Sequence, residues 1–227
     1  ATRVERVETH VSLIFLIGDR AFKLKRTVRF PYLDFTTRDR RRAACAAEVA
    51  VNRRTAPGLY RGVVAVTRAD DGSLRLGGDG EAVDWLVEMA RFNQDALFDR
   101  LVRRRALDRH AMEEMAEVIA RFHQAAEGRL EFGGHTGMAA IVDSNAQCFA
   151  DFGAPVLDVT RVERLNAATR HALKDLGALL ETRREAGCVR HCHGDLHLRN
   201  IVFIDGRPTL FDAIEFSQSM AHIDILY

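Results

Sequence analysis

The sequence predicts a bilobal α+β protein, with a small antiparallel sheet and one helix in the first lobe and mainly helices in the second. Three patterns indicate this fold class. Strand-like apolar segments dominate the first third of the chain, apolar residues recur at helical spacing from residue 95 onward, and two short apolar strands return near the end. We therefore expect one lobe over residues 1–92 and a second over residues 93–227, the second also carrying a loop and a β-hairpin.

The first lobe is predicted to contain strands around a single helix. The apolar, β-branched segment Ser12–Ile17 is followed by a turn and by a second, alternating segment, which is the pattern of a hairpin. Thr36 or Thr37 provides the N-cap of an alanine-rich helix. The predicted elements are strands over residues 12–17, 21–28, 62–68 and 83–89 and a helix that ends at Arg54.

The second lobe is predicted to be helical before its final hairpin. Met112, Met115, Ile119 and Phe122 recur at helical spacing, and Gly187 provides a stop for a later helix. The segment 133–158 shows no clear period, so it predicts a loop with room for one helix. The other predicted elements are helices over residues 95–105 and 162–186 and strands over residues 201–204 and 209–216.

The composition excludes several classes of protein. Hydrophobic residues make up 47% and charged residues 29%, and the formal net charge is +1, so neither disorder nor a general attraction to nucleic acid or anionic lipid is indicated. No apolar stretch approaches the roughly twenty residues that span a bilayer, and the four cysteines are scattered. We expect a reduced, cytoplasmic protein with no nucleic-acid or membrane partner. The lack of an initiator Met and the apolar end predict a trimmed or incompletely represented chain.

The segment RHCHGDLHLRN concentrates residues that carry chemistry. His191, His193, Asp195 and His197 nearly match the H-x-H-x-D-H signature of metallo-β-lactamase-like zinc hydrolases. The match fails because Leu196 separates the aspartate from the last histidine. A zinc-dependent hydrolase is therefore one hypothesis for this segment, and it has to be weighed against a second one.

The second hypothesis is a phosphoryl-transfer loop. His193, Asp195 and Asn200 match the pattern H-x-D-x-x-x-x-N in residue type and spacing. Such a loop needs one carboxylate beside the attacking hydroxyl and an amide oxygen that turns back to Mg²⁺ on the nucleotide phosphates. A second carboxylate must hold the metal from the end of a hairpin, and Asp212 follows the predicted hairpin at that place. Because these parts occur in order after an amphipathic helix, phosphoryl transfer is favoured over the zinc site.

HGDLHLRN followed by LFDAIEF resembles the aminoglycoside phosphotransferase family, which has the protein-kinase-like fold. THVSLIFLIGDRAFKLKR and RFPYLDF further resemble the kinase-like domain of bacterial proteins in which that domain precedes a P-loop ATPase domain. The motif G-x-x-x-x-G-K-[ST] does not occur here, so a P-loop partner domain is expected only in a longer parent chain. The resemblance implies ATP, Mg²⁺ and transfer of the γ-phosphoryl group to a hydroxyl of an unidentified small-molecule acceptor.

The resemblance also implies roles for individual residues. Asp195 resembles the catalytic base, and Asn200 and Asp212 resemble the metal ligands. Lys23, in the predicted nucleotide-binding sheet, resembles the lysine that pairs with the α- and β-phosphates. Glu48 on the first helix is the expected ion-pair partner of that lysine.

Three further expectations concern the nucleotide and the loop. Lys25 lies two residues beyond Lys23 and therefore on the same strand face, so it is the competing phosphate lysine. The segment from Met89 to Phe92, where strand gives way to helix, is expected to supply backbone hydrogen bonds to adenine. His193 is expected to anchor the loop rather than to act as a catalyst.

The sequence departs from the kinase pattern at two places. Protein kinases cover the phosphates with G-x-G-x-x-G, whereas VETHVS precedes the first predicted strand and contains no glycine. We expect His10, Ser12 and their backbone amides to substitute. Tyr227 comes only fifteen residues after Asp212. Because the family holds the acceptor largely with helices beyond this point, part of the acceptor-recognition surface is expected to be missing.

Other functions compete with a small-molecule kinase. They are a protein or RNA kinase of the same fold, a catalytically silent nucleotide-binding module, and the zinc hydrolase. The silent module is disfavoured because a base, two metal ligands and a lysine are all present. Glu215 and Asp224 are candidates to attract a cationic acceptor such as an amino sugar, and a role for Glu215 in bracing the metal loop is the alternative.

Overall fold

The structure is a computed structural model that describes residues 3–153 and 156–226. Residues 154 and 155, within the segment predicted as a loop, and Tyr227, within the apolar end of the sequence, lie outside the described residues. Among the helices of the described residues, none is both long enough and apolar enough to cross a membrane.

The chain divides into two compact units. The first unit comprises the chain up to Phe122 together with His193–Gln218. The second comprises His123–Cys192 together with the residues from Ser219 onward. The lobe boundary expected at residue 92 lies within the first unit and stays a prediction.

A six-stranded antiparallel sheet organises the first unit. The strands of this unit's first part are β1 (Val4–Glu8), β2 (Ser12–Ile17), β3 (Arg20–Lys25), β4 (Arg29–Phe30), β5 (Leu33–Asp34), β6 (Tyr60–Arg68), β7 (Leu74–Leu76) and β8 (Glu81–Ala90). The sheet has the strand order β1-β2-β3-β8-β6-β7, and the short strands β4 and β5 pair separately. The four predicted strands of this region are confirmed, with small shifts at their ends.

One helix, α1 (Arg38–Asn52), packs against β6 and β8. The side chain of Thr37 accepts a hydrogen bond from the amide of Arg40 at 3.3 Å, so Thr37 is the N-cap. The helix ends two residues before the predicted Arg54. The core beneath it consists of Leu16, Ala21, Cys45, Val49, Ala56, Leu59, Tyr60, Val87 and Met89. This packing places the buried face of α1 over the middle of the sheet.

The first unit also contains a short helix, a hairpin and the start of a longer helix. Phe98, Ile201 and Leu210 form a small core here with the helical residues Met115 and Ile119. The predicted strand 209–216 is shorter than expected, because the chain turns directly after Leu210. The elements are α2 (Phe98–Arg103), α3 (Arg109–Ala125), β10 (Ile201–Ile204) and β11 (Arg207–Leu210), with 3₁₀ turns at Gln94–Ala96 and Leu198–Asn200.

The second unit consists mainly of two helices that pack against each other. They are α4 (Gly134–Cys148), which continues into a π-helical turn, and α5 (Val159–Glu185), which is capped by Asp158. Helix α4 fills most of the segment predicted as a loop, because its many small residues produce only a weak helical period. The remaining elements are β9 (Val189–His191), α6 (Gln218–Ala221), which starts at the unit boundary, and β12 (His222–Asp224), antiparallel to β9. The predicted α+β class is thereby confirmed.

Candidate active site

Lys23 and Glu48 form the ion pair that the sequence predicts. Strand β3 alternates its side chains, so Lys23 and Lys25 both lie on its buried side. Nζ of Lys23 lies 2.8 Å from Oε1 of Glu48. Glu48 lies on α1, and its side chain is completely buried. Nζ of Lys25 lies 2.5 Å from Oε2 of the same carboxylate. Contact with Glu48 therefore does not distinguish the two candidate lysines.

Each lysine also has a second carboxylate partner. Nζ of Lys23 lies 2.5 Å from Oδ1 of Asp212, and Nζ of Lys25 contacts Oε1 of Glu215. We call these five side chains the lysine–carboxylate cluster. Two ammonium groups face three carboxylates, so the cluster carries a net charge of −1 when all five groups are ionised.

Burial and the mutual contacts shift the pKa values in the lysine–carboxylate cluster. Burial alone would lower the pKa of Lys23 and Lys25, but the carboxylates beside them raise both above the usual value. Burial alone would raise the pKa of Glu48 and Asp212, but the ammonium groups lower both. At Glu215 burial prevails and raises the pKa despite Lys25. Both lysines are therefore charged at neutral pH.

Asp212 lies in a tightly constrained turn. Its φ of 62° is in the left-handed region, which aspartate tolerates better than most residues. Four consecutive amides fix the turn. Phe211 donates to Asn200 O at 3.0 Å, Asp212 to Tyr60 Oη at 3.1 Å, Ala213 to Asn52 Oδ1 at 2.8 Å, and Ile214 to His193 O at 2.9 Å. A strained backbone conformation persists when several neighbours determine it in this way.

Asn52 and Tyr60 are the site residues that the sequence analysis missed. Their hydrogen-bond partners, Ala213 and Asp212, lie 161 and 152 residues away along the chain. Asn52 is completely buried, and its Nδ2 also donates to the carbonyl of Glu48 at 3.0 Å. The last turn of α1 thus links Glu48 to the turn that carries Asp212.

Asn52→Ala is expected to lower the free energy of unfolding by about 2 kcal/mol, because it leaves the buried amide of Ala213 without an acceptor. It should also weaken the metal-dependent nucleotide binding that the sequence predicts, since the turn that holds Asp212 loses one of its four constraints. Denaturant unfolding and calorimetric titration measure the two effects. The matched control is Asn145→Ala on an exposed position of α4, which should change neither. Equal behaviour of the two variants would contradict the bracing role of Asn52.

Asp195 and Asn200 lie together on the loop that precedes β10. Nδ2 of Asn200 donates to the carbonyl oxygen of Asp195 at 2.9 Å and to its Oδ2 at 3.1 Å. This use of Nδ2 leaves the amide oxygen as the atom of Asn200 with which it can ligate a metal. The carboxylate of Asp195 is about half exposed and lies 3.5 Å from Nε2 of His197. It is thus accessible to solvent.

His193 anchors this loop. Its ring is buried, and burial lowers its pKa, so the imidazole is neutral. Nε2 lies 2.9 Å from the carbonyl oxygen of Phe211, and Nδ1 lies 3.4 Å from the amide of Asp195. A proton on Nε2 satisfies both contacts, with Nε2 donating and Nδ1 accepting. Both ring nitrogens of His193 therefore form hydrogen bonds with backbone groups. Among the described residues, no three His, Cys, Asp or Glu side chains lie close enough together to hold a metal ion.

Ser12 and Met89 are both buried in the structure. Ser12 is completely buried, its amide donates to Thr9 Oγ1 at 2.9 Å, and its Oγ has no hydrogen-bond partner among the described residues. Met89 packs its side chain into the core, and the next two amides, of Ala90 and Arg91, already donate to backbone carbonyls. The nucleotide-binding roles of Ser12 and Met89 stay predictions.

Curated proteins similar to the chain are found in mycobacteria. Uncharacterised proteins of Mycobacterium tuberculosis and Mycobacterium bovis are 30% identical over 220 residues, which is 96% of this chain. The match covers 42% of their length, so the chain spans less than half the length of these relatives. No family model matches the chain.

Solved structures similar to the chain include two of aminoglycoside phosphotransferase APH(4)-Ia. A thermostable mutant in its apo form is 15% identical, with 96% of this chain and 67% of that chain covered and a TM-score of 0.47. A second crystal structure is also 15% identical, with 95% and 66% covered and a TM-score of 0.41.

Proposed function

We propose that the chain is an ATP- and Mg²⁺-dependent phosphotransferase that moves the γ-phosphoryl group of ATP to a hydroxyl group of a small molecule. One observation carries the proposal. A buried Lys23–Glu48 pair, Asp212 in a constrained turn, and a loop with Asp195 and Asn200 occur in one compact unit. Phosphoryl transfer depends on these parts, because it requires mainly positioning and charge stabilisation.

The residues present fit Mg²⁺ and a nucleotide. Carboxylate and amide oxygens are the ligands that Mg²⁺ prefers, and Asp212 and Asn200 supply them. Thiolate and imidazole ligands, which favour zinc, are not gathered at this place among the described residues. The ammonium group of Lys23 supplies a positive charge for the α- and β-phosphates. When bound, Mg²⁺ would neutralise the charge on the phosphates and help to orient them.

Side chains of the protein itself perform the other functions that phosphoryl transfer requires. Asp195 accepts the proton of the attacking hydroxyl, because its carboxylate is exposed and is oriented by Asn200. Lys23 holds the nucleotide, and Glu48 orients Lys23. His193 keeps the loop and the Asp212 turn in register through its two ring nitrogens. We propose an alcohol as the class of acceptor. We also propose that a P-loop domain belongs to the same polypeptide in a longer parent chain.

We expect the pure protein to bind ATP only in the presence of Mg²⁺ or Mn²⁺ and to carry no stoichiometric zinc, because the proposed ligands are oxygens. Calorimetric titration with ATP, with and without chelator, measures the first point, and elemental analysis the second. A screen of hydroxyl-bearing compounds with labelled ATP then identifies the acceptor. One tightly held zinc per chain would contradict the proposal, and so would an absence of metal-dependent ATP binding.

A further inference from the structure

The chain uses lysine very sparingly. Of its 33 lysine and arginine residues, only Lys23, Lys25 and Lys174 are lysines, and two of these three lie side by side in the lysine–carboxylate cluster. An ammonium group is a compact charge with three donors, whereas a guanidinium is a wide planar fork. The ammonium group of each cluster lysine contacts two carboxylates.

The two ends of the lysine–carboxylate cluster differ in exposure. The side chains of Lys25 and Glu215 are 2% and 5% exposed, and that of Glu48 is 0% exposed. At the other end, the side chain of Lys23 is 10% exposed and that of Asp212 is 41% exposed. A nucleotide can therefore reach the Lys23 and Asp212 end, while the Lys25 and Glu215 end is closed to it.

The negative charge of the buried Glu48 carboxylate needs a balancing positive charge in the protein, whether or not a nucleotide is bound. If Glu48 had Lys23 alone, a fully buried anion would hold that ammonium strongly and compete with the phosphates for it. Lys25 contacts the second oxygen of Glu48 and also Glu215, so its positive charge is shared between these two buried carboxylates. The cluster retains one excess negative charge, and Asp212, at the end where the proposed metal binds, is the most exposed of its three carboxylates.

We propose that Lys25 and Glu215 are positioning residues that fix Glu48 through its second oxygen and so leave Lys23 free to bind the phosphates. This inference rests on the proposed phosphotransferase function. It assigns Lys23, and not Lys25, to the nucleotide, and it gives Glu215 a role within the protein rather than in attracting a cationic acceptor. The rival interpretation is that Lys25 and Glu215 are an ordinary buried ion pair with no effect on Lys23.

The first test observes the three lysines directly in protein made with isotope-labelled lysine. Lys174 is exposed on α5 and serves as the internal reference. When a non-hydrolysable ATP analogue and Mg²⁺ are added, the side-chain NMR signal of Lys23 should shift, while those of Lys25 and Lys174 should not. A shift of Lys25 equal to or larger than that of Lys23 would overturn the proposal. If no signal shifts and calorimetry shows no binding, the proposed function itself fails.

The second test replaces both members of the pair, by Lys25→Met with Glu215→Leu. Replacing both residues leaves no unpaired charge at Glu215, but Oε2 of Glu48 loses its cation, so the double variant should fold and melt below the wild type. Its affinity for the Mg²⁺-bound analogue should also fall by about 10-fold or more, because Glu48 then retains Lys23. Unchanged affinity in a stable double variant would overturn the proposal. If the variant does not fold, the NMR measurement on the wild type decides alone.

Discussion

Replacing Asp195 with Asn is expected to slow phosphoryl transfer by about 10²-fold or more and to leave binding of ATP and Mg²⁺ nearly unchanged. The carboxylate of Asp195 is contacted by Asn200 and His197, while the two cluster lysines contact other carboxylates. Asn is isosteric and keeps an oxygen for the hydrogen bond to Asn200. The substitution therefore removes the proposed proton acceptor and leaves the proposed nucleotide site unchanged.

The matched comparison is Asp212→Asn. This change removes a charge from the proposed metal site and from the contact with Lys23, so binding of the Mg²⁺-bound nucleotide should weaken together with turnover. Calorimetric titration with an ATP analogue and a transfer assay on the acceptor found by screening measure both variants. The catalytic-loop interpretation of RHCHGDLHLRN would be wrong if Asp195→Asn lost nucleotide binding as severely as Asp212→Asn, or if it retained full turnover.

Glu48→Gln is expected to lower the free energy of unfolding by roughly 3 kcal/mol or more, the largest stability effect that we expect of a single substitution in this chain. Burial would raise the pKa of Glu48, yet the ammonium groups of Lys23 and Lys25 hold it below its usual value, so the native state contains the anion. A neutral amide leaves two buried ammonium groups with less negative charge. The affinity for Mg²⁺-bound nucleotide should fall as well.

Denaturant unfolding followed by circular dichroism measures this loss. The control is Glu113→Gln on α3, where an exposed ion pair with Arg109 contributes little to stability. If the two variants unfold at the same denaturant concentration, Glu48 is not the residue that compensates the two lysines. The site would then have to be organised by Asp212 and Glu215 instead.

Local patterns in the sequence predicted the elements that carry the site. The alternation in β2 and β3, the N-cap before α1 and the hairpin after the loop each involve residues close together in the chain. The spacing of Asp195 and Asn200 also predicted that one loop brings them together, and the structure places them in hydrogen-bond contact. Their chemical roles stay proposals.

The sequence by itself determined which residues can be near each other along one strand, helix or loop, since the periods of strands and helices are fixed by backbone geometry. The sequence placed Lys23 and Lys25 on the same face of β3. Only the packing of α1 on the sheet brought Glu48 into contact with both lysines. Asn52 and Tyr60 brace the Asp212 turn across 161 and 152 residues, and no local spacing encodes such contacts. Tertiary structure alone decided these partners, because burial removes water and obliges each charged or polar group to find a partner in the folded chain.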